Sequence, residues 1–191
     1  MQHSPQPSEE LKRARIAIDN MRDSGDSREF EEHWKEFLHR VERSWNKARA
    51  HYGKSPKWSG WQSSHERARR TDQLLSYLEN ARGAEEHTVN EIVEHRPGGI
   101  GINAAEGNSL YLERLEVNNG KVSVWSPQRL KIEFLPTKMA LAPIVNRGKT
   151  FAPPSRHLGR EVNPADVIGI AELGLKYYAD AISSAEAFFV K

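Results

Sequence analysis

From Phe30 onward the chain places Phe30, Trp34, Phe37, Leu38, Val41, Trp45 and Ala48 at helical spacing. The set forms one continuous face over about five turns, at 3.6 residues per turn. Large apolar side chains are worth roughly 1.5–3 kcal/mol each when buried, so this face needs a layer of other elements to cover it. Asp26, with Glu29 three residues later, reads as a capping pair at its start, and the helix should end near Tyr52-Gly53.

A chain of 191 residues fits one compact domain, or a small domain with a substantial appendage. Its Lys+Arg count of 28 against 26 Asp+Glu provides no bulk attraction to nucleic acid, so any phosphate binding must be local. The absence of cysteine excludes a disulfide scaffold, a thiolate metal site and a cysteine nucleophile, and fits a reducing compartment. Met1 to Ser8 is polar and proline-containing, with no signal-peptide core, and no later run is long enough to span a bilayer. A cytoplasmic protein without a membrane segment is expected.

In chain order, a flexible lead (1–8) precedes a helical region (9–90), an antiparallel β region with a loop (91–162), and a C-terminal helix (163–191). Ser8-Glu-Glu should cap a first helix through about Met21, with Leu11, Ile16 and Ile18 as its apolar residues. The loop Lys54–Trp61 mixes cations with Trp58 and Trp61. Such a loop can stack bases and bind phosphates, but the apolar payload of tryptophan favours closure of the bundle end. Ser63 with Glu66 is expected to cap the helix that carries Leu74–His87, and Arg67, Arg69 and Arg70 spread over more than one face as a solvated surface.

Arg96-Pro-Gly-Gly-Ile-Gly101 and Ala105-Glu-Gly107 are turn chemistry. Leu110–Val117 and Val122–Trp125 read as a hairpin with Asn119-Gly120 at its turn, and Leu130, Ile132 and Phe134 as alternate residues of a half-buried strand. A strand over Met139–Val145 would be limited by Pro143, and 146–160 reads as loop. Asn163-Pro164 should start the last helix, whose face is Val167, Ile170, Ala171, Leu175, Tyr178, Ala181, Ile182, Ala185 and Phe188.

The segment Leu74–His87 combines a buried-type stripe (Leu74, Leu75, Leu78, Ala81) with Arg82 and His87. Arginine offers a fixed fork for phosphate and histidine moves protons near neutral pH, which together equip a site to cleave an RNA backbone without a metal. On an unbroken helix the two positions would lie about 140° apart, at ~100° per residue. Gly83 is expected to permit a bend or cap that lets them converge, or they meet equivalents from a second subunit. The alternative is that Glu85, Glu86 and His87 are a solvated helix end and Arg82 a surface cation.

Other motifs fail. Gly148-Lys-Thr150 lacks the earlier glycine of a phosphate-binding loop, because Pro143 stands there. Gly98-Gly-Ile-Gly101 lacks the third glycine of a dinucleotide fingerprint and reads as a turn. His33 and His39 sit roughly 240° apart on their helix, so no metal is implied, and no Gly-x-Ser-x-Gly elbow is present.

With the long helix before it, Tyr77-Leu-Glu-Asn-Ala-Arg-Gly-Ala-Glu-Glu-His87 resembles the HEPN superfamily of small helical-bundle proteins, which carry arginine and histidine four to six residues apart. The resemblance runs from about Phe30 to Val89 and is nearest to a group of uncharacterised bacterial proteins, which the loops Val145–Gly148 and Pro153–Gly159 also resemble. The helical stripes and the strand patterns between them give an α+β fold, with a small antiparallel sheet after the motif helix and a C-terminal helix packing back on the bundle, and the resemblance makes that bundle HEPN-like. It further implies a metal-independent ribonuclease or RNA-binding protein without cofactor, in a toxin or defence setting, dimeric, with a neutralising partner protein. Arg82 would bind the scissile phosphate and His87 exchange the proton, with Asn80 or Glu86 supporting. Gly83 departs from the pattern, since active members commonly have a polar residue there. A noncatalytic dimeric HEPN-like interaction module is the alternative.

Overall fold

The computed structural model describes residues 2–87, 93–96, 98–118, 120–135 and 138–190, without the side chains of 85–87, 94–96, 134–135 and 138. The elements are α1 (Gln6–Asp23), α2 (Ser27–Tyr52), α3 (Trp58–Thr71), α4 (Gln73–His87), β1 (Val93–Arg96), β2 (Gly99–Ala104), β3 (Arg114–Asn118), β4 (Lys121–Trp125), β5 (Leu130–Leu135), β6 (Lys138–Leu141), β7 (Ile144–Asn146), β8 (Lys149–Phe151), β9 (Arg156–His157), β10 (Arg160–Glu161) and α5 (Val167–Phe189). The fold is α+β, with five helices and small antiparallel strand pairs. It forms two compact units, Met1–Glu94 with Met139–Lys191, and His95–Lys138.

The helical unit is built on α2. Asp26 Oδ1 accepts the Glu29 N–H at 2.8 Å, and the Glu29 carboxylate accepts the Gly25 N–H at 2.9 Å, so both ends of the capping pair hold backbone donors. The whole Phe30–Ala48 stripe is buried. On α1 the buried residues are Leu11, Ala14, Ala17, Ile18 and Met21, whereas Ile16 is exposed. The helical period selects the two alanines over the isoleucine. Buried Glu10 fixes α1 to α2 through Arg40 Nη1 at 2.8 Å and Lys47 Nζ at 2.5 Å.

Trp58 and Trp61 lie in α3 rather than in a loop, and they close the bundle end against Trp45 and Phe189. Ser63 caps nothing: its hydroxyl donates within α3 to Gly60 O at 2.8 Å. The helix carrying the central stretch begins after a break at Asp72, whose Oδ1 accepts the Leu75 N–H at 3.0 Å. The break arises because Asp72 also receives the Leu158 N–H at 2.7 Å and pairs with His157 Nδ1 at 2.9 Å. These partners, distant in sequence, reinforce the local cap that Asp72 makes on Leu75.

The last helix starts later than Asn163. Asp166 Oδ1 takes the Gly169 N–H at 2.8 Å, while Asn163 Oδ1 takes the Ala165 N–H at 3.0 Å and so shapes the preceding turn. Phe189, not Phe188, fills the core, stacking on Tyr52 at 5.5 Å, and Phe188 is half exposed. At Gly174 a Cβ would strike Leu78 Cδ1, so the glycine permits close packing of α5 on α4.

The stretch 146–160 is two tight hairpins rather than loop. β7 pairs with β8 across Arg147 (φ 49°) and Gly148 (φ 73°), and β9 with β10 across Leu158 (φ 48°) and Gly159 (φ 81°). Two consecutive positive φ values make the two-residue turn whose twist suits antiparallel strands. Pro143 divides β6 from β7, and the Tyr77 hydroxyl donates to Ala142 O at 2.7 Å beside it.

In the unit His95–Lys138, β2 pairs with β5 from Gly99↔Leu135 to Ala104↔Leu130, and β3 with β4 from Arg114↔Trp125 to Asn118↔Lys121. Gly99 and Gly101 therefore enter a strand instead of forming only a turn, because β5 needs a partner for its backbone groups. The hairpin strand begins at Arg114 rather than Leu110. Gly120 has φ 77°, as its turn position requires, and Asn119 lies outside the described residues. No described helix is long and apolar enough to cross a membrane.

Candidate functional site

The helix α4 runs without a break from Gln73 to His87, so Gly83 provides no bend. Its role is steric. A Cβ at 83 would lie 2.7 Å from Asn146 Nδ2, so glycine leaves the room that the Asn146 amide occupies against α4. Asn146 Nδ2 donates to Asn80 Oδ1 at 3.0 Å, and Asn80 Nδ2 donates to Ser76 O at 2.8 Å. Both halves of the Asn80 amide are thus engaged within the protein. This residue, expected to support catalysis, docks the β7–β8 hairpin.

Arg82 is half-buried and borders two clefts. Toward α2 the cleft includes His39, Arg40, Arg43, Asn46 and Glu42. Arg40 is engaged by Glu10 and Glu36, and Arg43, whose side chain is 63% exposed, also pairs with Glu10 Oε1 through Nε at 3.5 Å. Toward the hairpin the cleft includes Glu42, Glu79, Asn80, Gly83, Asn146 and Arg147. The side chains of Glu86 and His87 lie outside the described residues. Because α4 is unbroken, position 87 lies about 140° around it from position 82, and one chain does not converge the two through a bend.

Beneath the second cleft sits Arg69, which sequence patterning places on a solvated surface. It is instead 3% exposed. Its Nη2 meets Glu42 Oε2 at 2.6 Å and Glu79 Oε1 at 3.4 Å, and its guanidinium lies over Trp45 at 5.3 Å and Tyr178 at 5.9 Å. Burial works against its charge, but Tyr178, Glu42 and Glu79 outweigh that and push its pKa up. Burial pushes the Glu79 pKa up in spite of Arg69. The signal that could have found Arg69 is its place on the aromatic face of α3, in helical step with Trp58, Trp61 and His65.

Asp72 anchors the other end of α4 to the β9–β10 hairpin. Burial tends to raise its pKa, but the Leu158 N–H, His157 and the Leu75 N–H outweigh this and hold it below the usual carboxylate range. A depressed pKa stabilises the fold above the ordinary value of 3.8, and that contribution is lost as pH falls below it. Asp72→Ala should therefore lower stability by about 1–3 kcal/mol at neutral pH. Urea melts of both proteins should converge below the ordinary carboxylate range; a gap that persists unchanged at the acid end would contradict the assignment.

In comparisons with known proteins, the chain matches no family model, no curated protein and no solved structure.

Proposed function

We propose that the protein binds single-stranded RNA through its phosphates at Arg82 and cleaves it without a metal ion, His87 exchanging a proton as the neighbouring 2'-hydroxyl attacks. The observation that carries this reading is the course of α4. It holds Arg82 between two clefts, one with His39, Arg43, Glu36 and Glu42 and the other with Arg147, Glu42 and Glu79, and it keeps position 87 on another side of the same unbroken helix. A phosphate gripped by Arg82 of one copy would then be served by His87 of a second, which makes a dimer part of the mechanism. The guanidinium fork orients the phosphate, and the histidine of the second copy exchanges the proton at the reacting bond.

One observation favours a second reading, a noncatalytic dimeric interaction module. Asn80 is held by Ser76 and Asn146, and Gly83 has no side chain and faces Asn146, so position 83 supplies no polar helper beside Arg82 and Asn80 has a structural role. The readings share phosphate contact only if RNA binds. Fluorescence anisotropy with a mixed-sequence single-stranded RNA should show binding that weakens with salt, and Arg82→Ala should weaken it by about 10- to 100-fold, the worth of a charge-assisted contact. Absence of RNA binding by the wild type would sink the first reading.

A further inference from the structure

The β7–β8 hairpin has no need of an arginine at its turn, yet it carries one where a side chain is disfavoured. Arg147 has φ 49°, in a position that asparagine and glycine fill at less cost. Two features bring this turn to α4. Asn146, its immediate neighbour, bonds Asn80, and the missing Cβ of Gly83 clears the space that Asn146 occupies. The result is a cleft in which Arg147 and Arg82 share one wall system with Glu42 and Glu79. Both carboxylates are engaged by the buried Arg69 beneath them, and Glu66 also acts on Glu79, so the placement of the two arginines on the cleft, and not a surplus of positive charge, marks the site.

From this placement we infer that Arg147 is a second oxyanion-binding residue, which with Arg82 forms a two-arginine clamp for a phosphate or phosphodiester group. The inference deepens the RNA reading by adding a site residue from outside the motif helix, but it stands on the cleft and can survive without RNA. Two guanidinium groups, one carried by a helix and one by a hairpin, would grip a phosphate from two directions and so fix its orientation more fully than the single fork of Arg82. Glu79 fits the same purpose. Burial already pushes its pKa up against the pull of Arg69 and Arg147, so an arriving anion meets a carboxylate that accepts a proton readily. Binding should accordingly tighten as pH falls toward the carboxylate range.

The test uses the full chain and two probes. One is inorganic phosphate, read as the rise in melting temperature over chloride at matched ionic strength; the other is single-stranded RNA, read by anisotropy. Arg147→Gly and Arg147→Asn both suit a positive φ, so each should melt at or above the wild-type temperature while losing the phosphate-dependent rise and binding RNA at least 10-fold more weakly. Arg147→Lys should recover only part of the binding. If both variants bind the two probes as wild type does while Arg82→Ala does not, Arg147 is a surface residue and the clamp is wrong, with the RNA reading intact. If phosphate stabilises the protein through Arg147 but RNA does not bind, the clamp stands and the RNA reading falls. If wild type responds to neither probe, or if both variants lose binding only together with a fall in melting temperature, the clamp is refuted.

Discussion

Arg69→Ala should destabilise the protein by about 3–5 kcal/mol, the cost of removing one member of a buried ion pair and leaving its partner uncompensated. Glu42 would lose its 2.6 Å partner while its side chain remains mostly buried, and Trp45 and Tyr178 would lose the guanidinium packed over them. Three helices meet at this one group, since Arg69 belongs to α3, Glu42 to α2 and Glu79 to α4. Arg69→Met keeps most of the volume but not the charge, so the single variant should also be unstable, and adding Glu42→Gln should recover part of the loss. Urea denaturation of the four proteins reads this directly. A change below about 1 kcal/mol for Arg69→Ala would mean that the group behaves as an exposed pair and that α3 is not pinned through it.

The two long helical faces were legible from spacing, because apolar residues recurring at the helical period have few other ways to be buried. The α2 stripe and its Asp26 cap appear where the pattern places them. On α5 the pattern holds through Ala185 and then misses by one residue at Phe188, since the terminal turn packs Phe189 against Tyr52. Long-range polar contacts left no comparable mark. Asp72 as a helix break depends on His157 and Leu158, and Gly83 as a point of close approach depends on Asn146. Neither partner is near in sequence. The two hairpins were hidden for a different reason: their turns use Arg147-Gly148 and Leu158-Gly159 in place of the asparagine–glycine or aspartate–glycine pairs that usually announce such turns. Arg69 was hidden by its charge, which weighs against burial unless carboxylates from other helices are known to meet it.

The same limits apply to the candidate site. Arg82 and the helix that carries it could be read from sequence, and Arg82 does lie at a cleft. The expected bend at Gly83 could not be tested by spacing; the helix continues through it, with Asn146 where a Cβ would be. Asn80 looked available because its two hydrogen-bond partners, one a backbone carbonyl four residues back and one on a distant strand, are tertiary facts. Arg147 gave no signal, since nothing in a turn sequence says which helix the turn will meet.

His87→Ala should lower RNA cleavage by about 10²- to 10⁴-fold, the usual worth of a positioned proton-transfer group. Stability should change little, because position 87 is the last residue of α4, past the described buried residues Leu74, Leu75, Tyr77, Leu78, Ala81 and Ala84. Arg82→Lys should also fail, as an ammonium keeps the charge but loses the two-pronged geometry. Mixed dimers of His87→Ala and Arg82→Lys chains should recover part of the activity, since each composite cleft that pairs the intact arginine of one copy with the intact histidine of the other remains complete. The most direct measurement is single-turnover cleavage of a mixed single-stranded RNA by the wild type in the presence of a chelator. The account predicts cleavage that survives the chelator, disappears in His87→Ala and leaves a 2',3'-cyclic phosphate end; RNA that remains intact with wild type, or cleavage that persists in His87→Ala and stops with chelator, would contradict it.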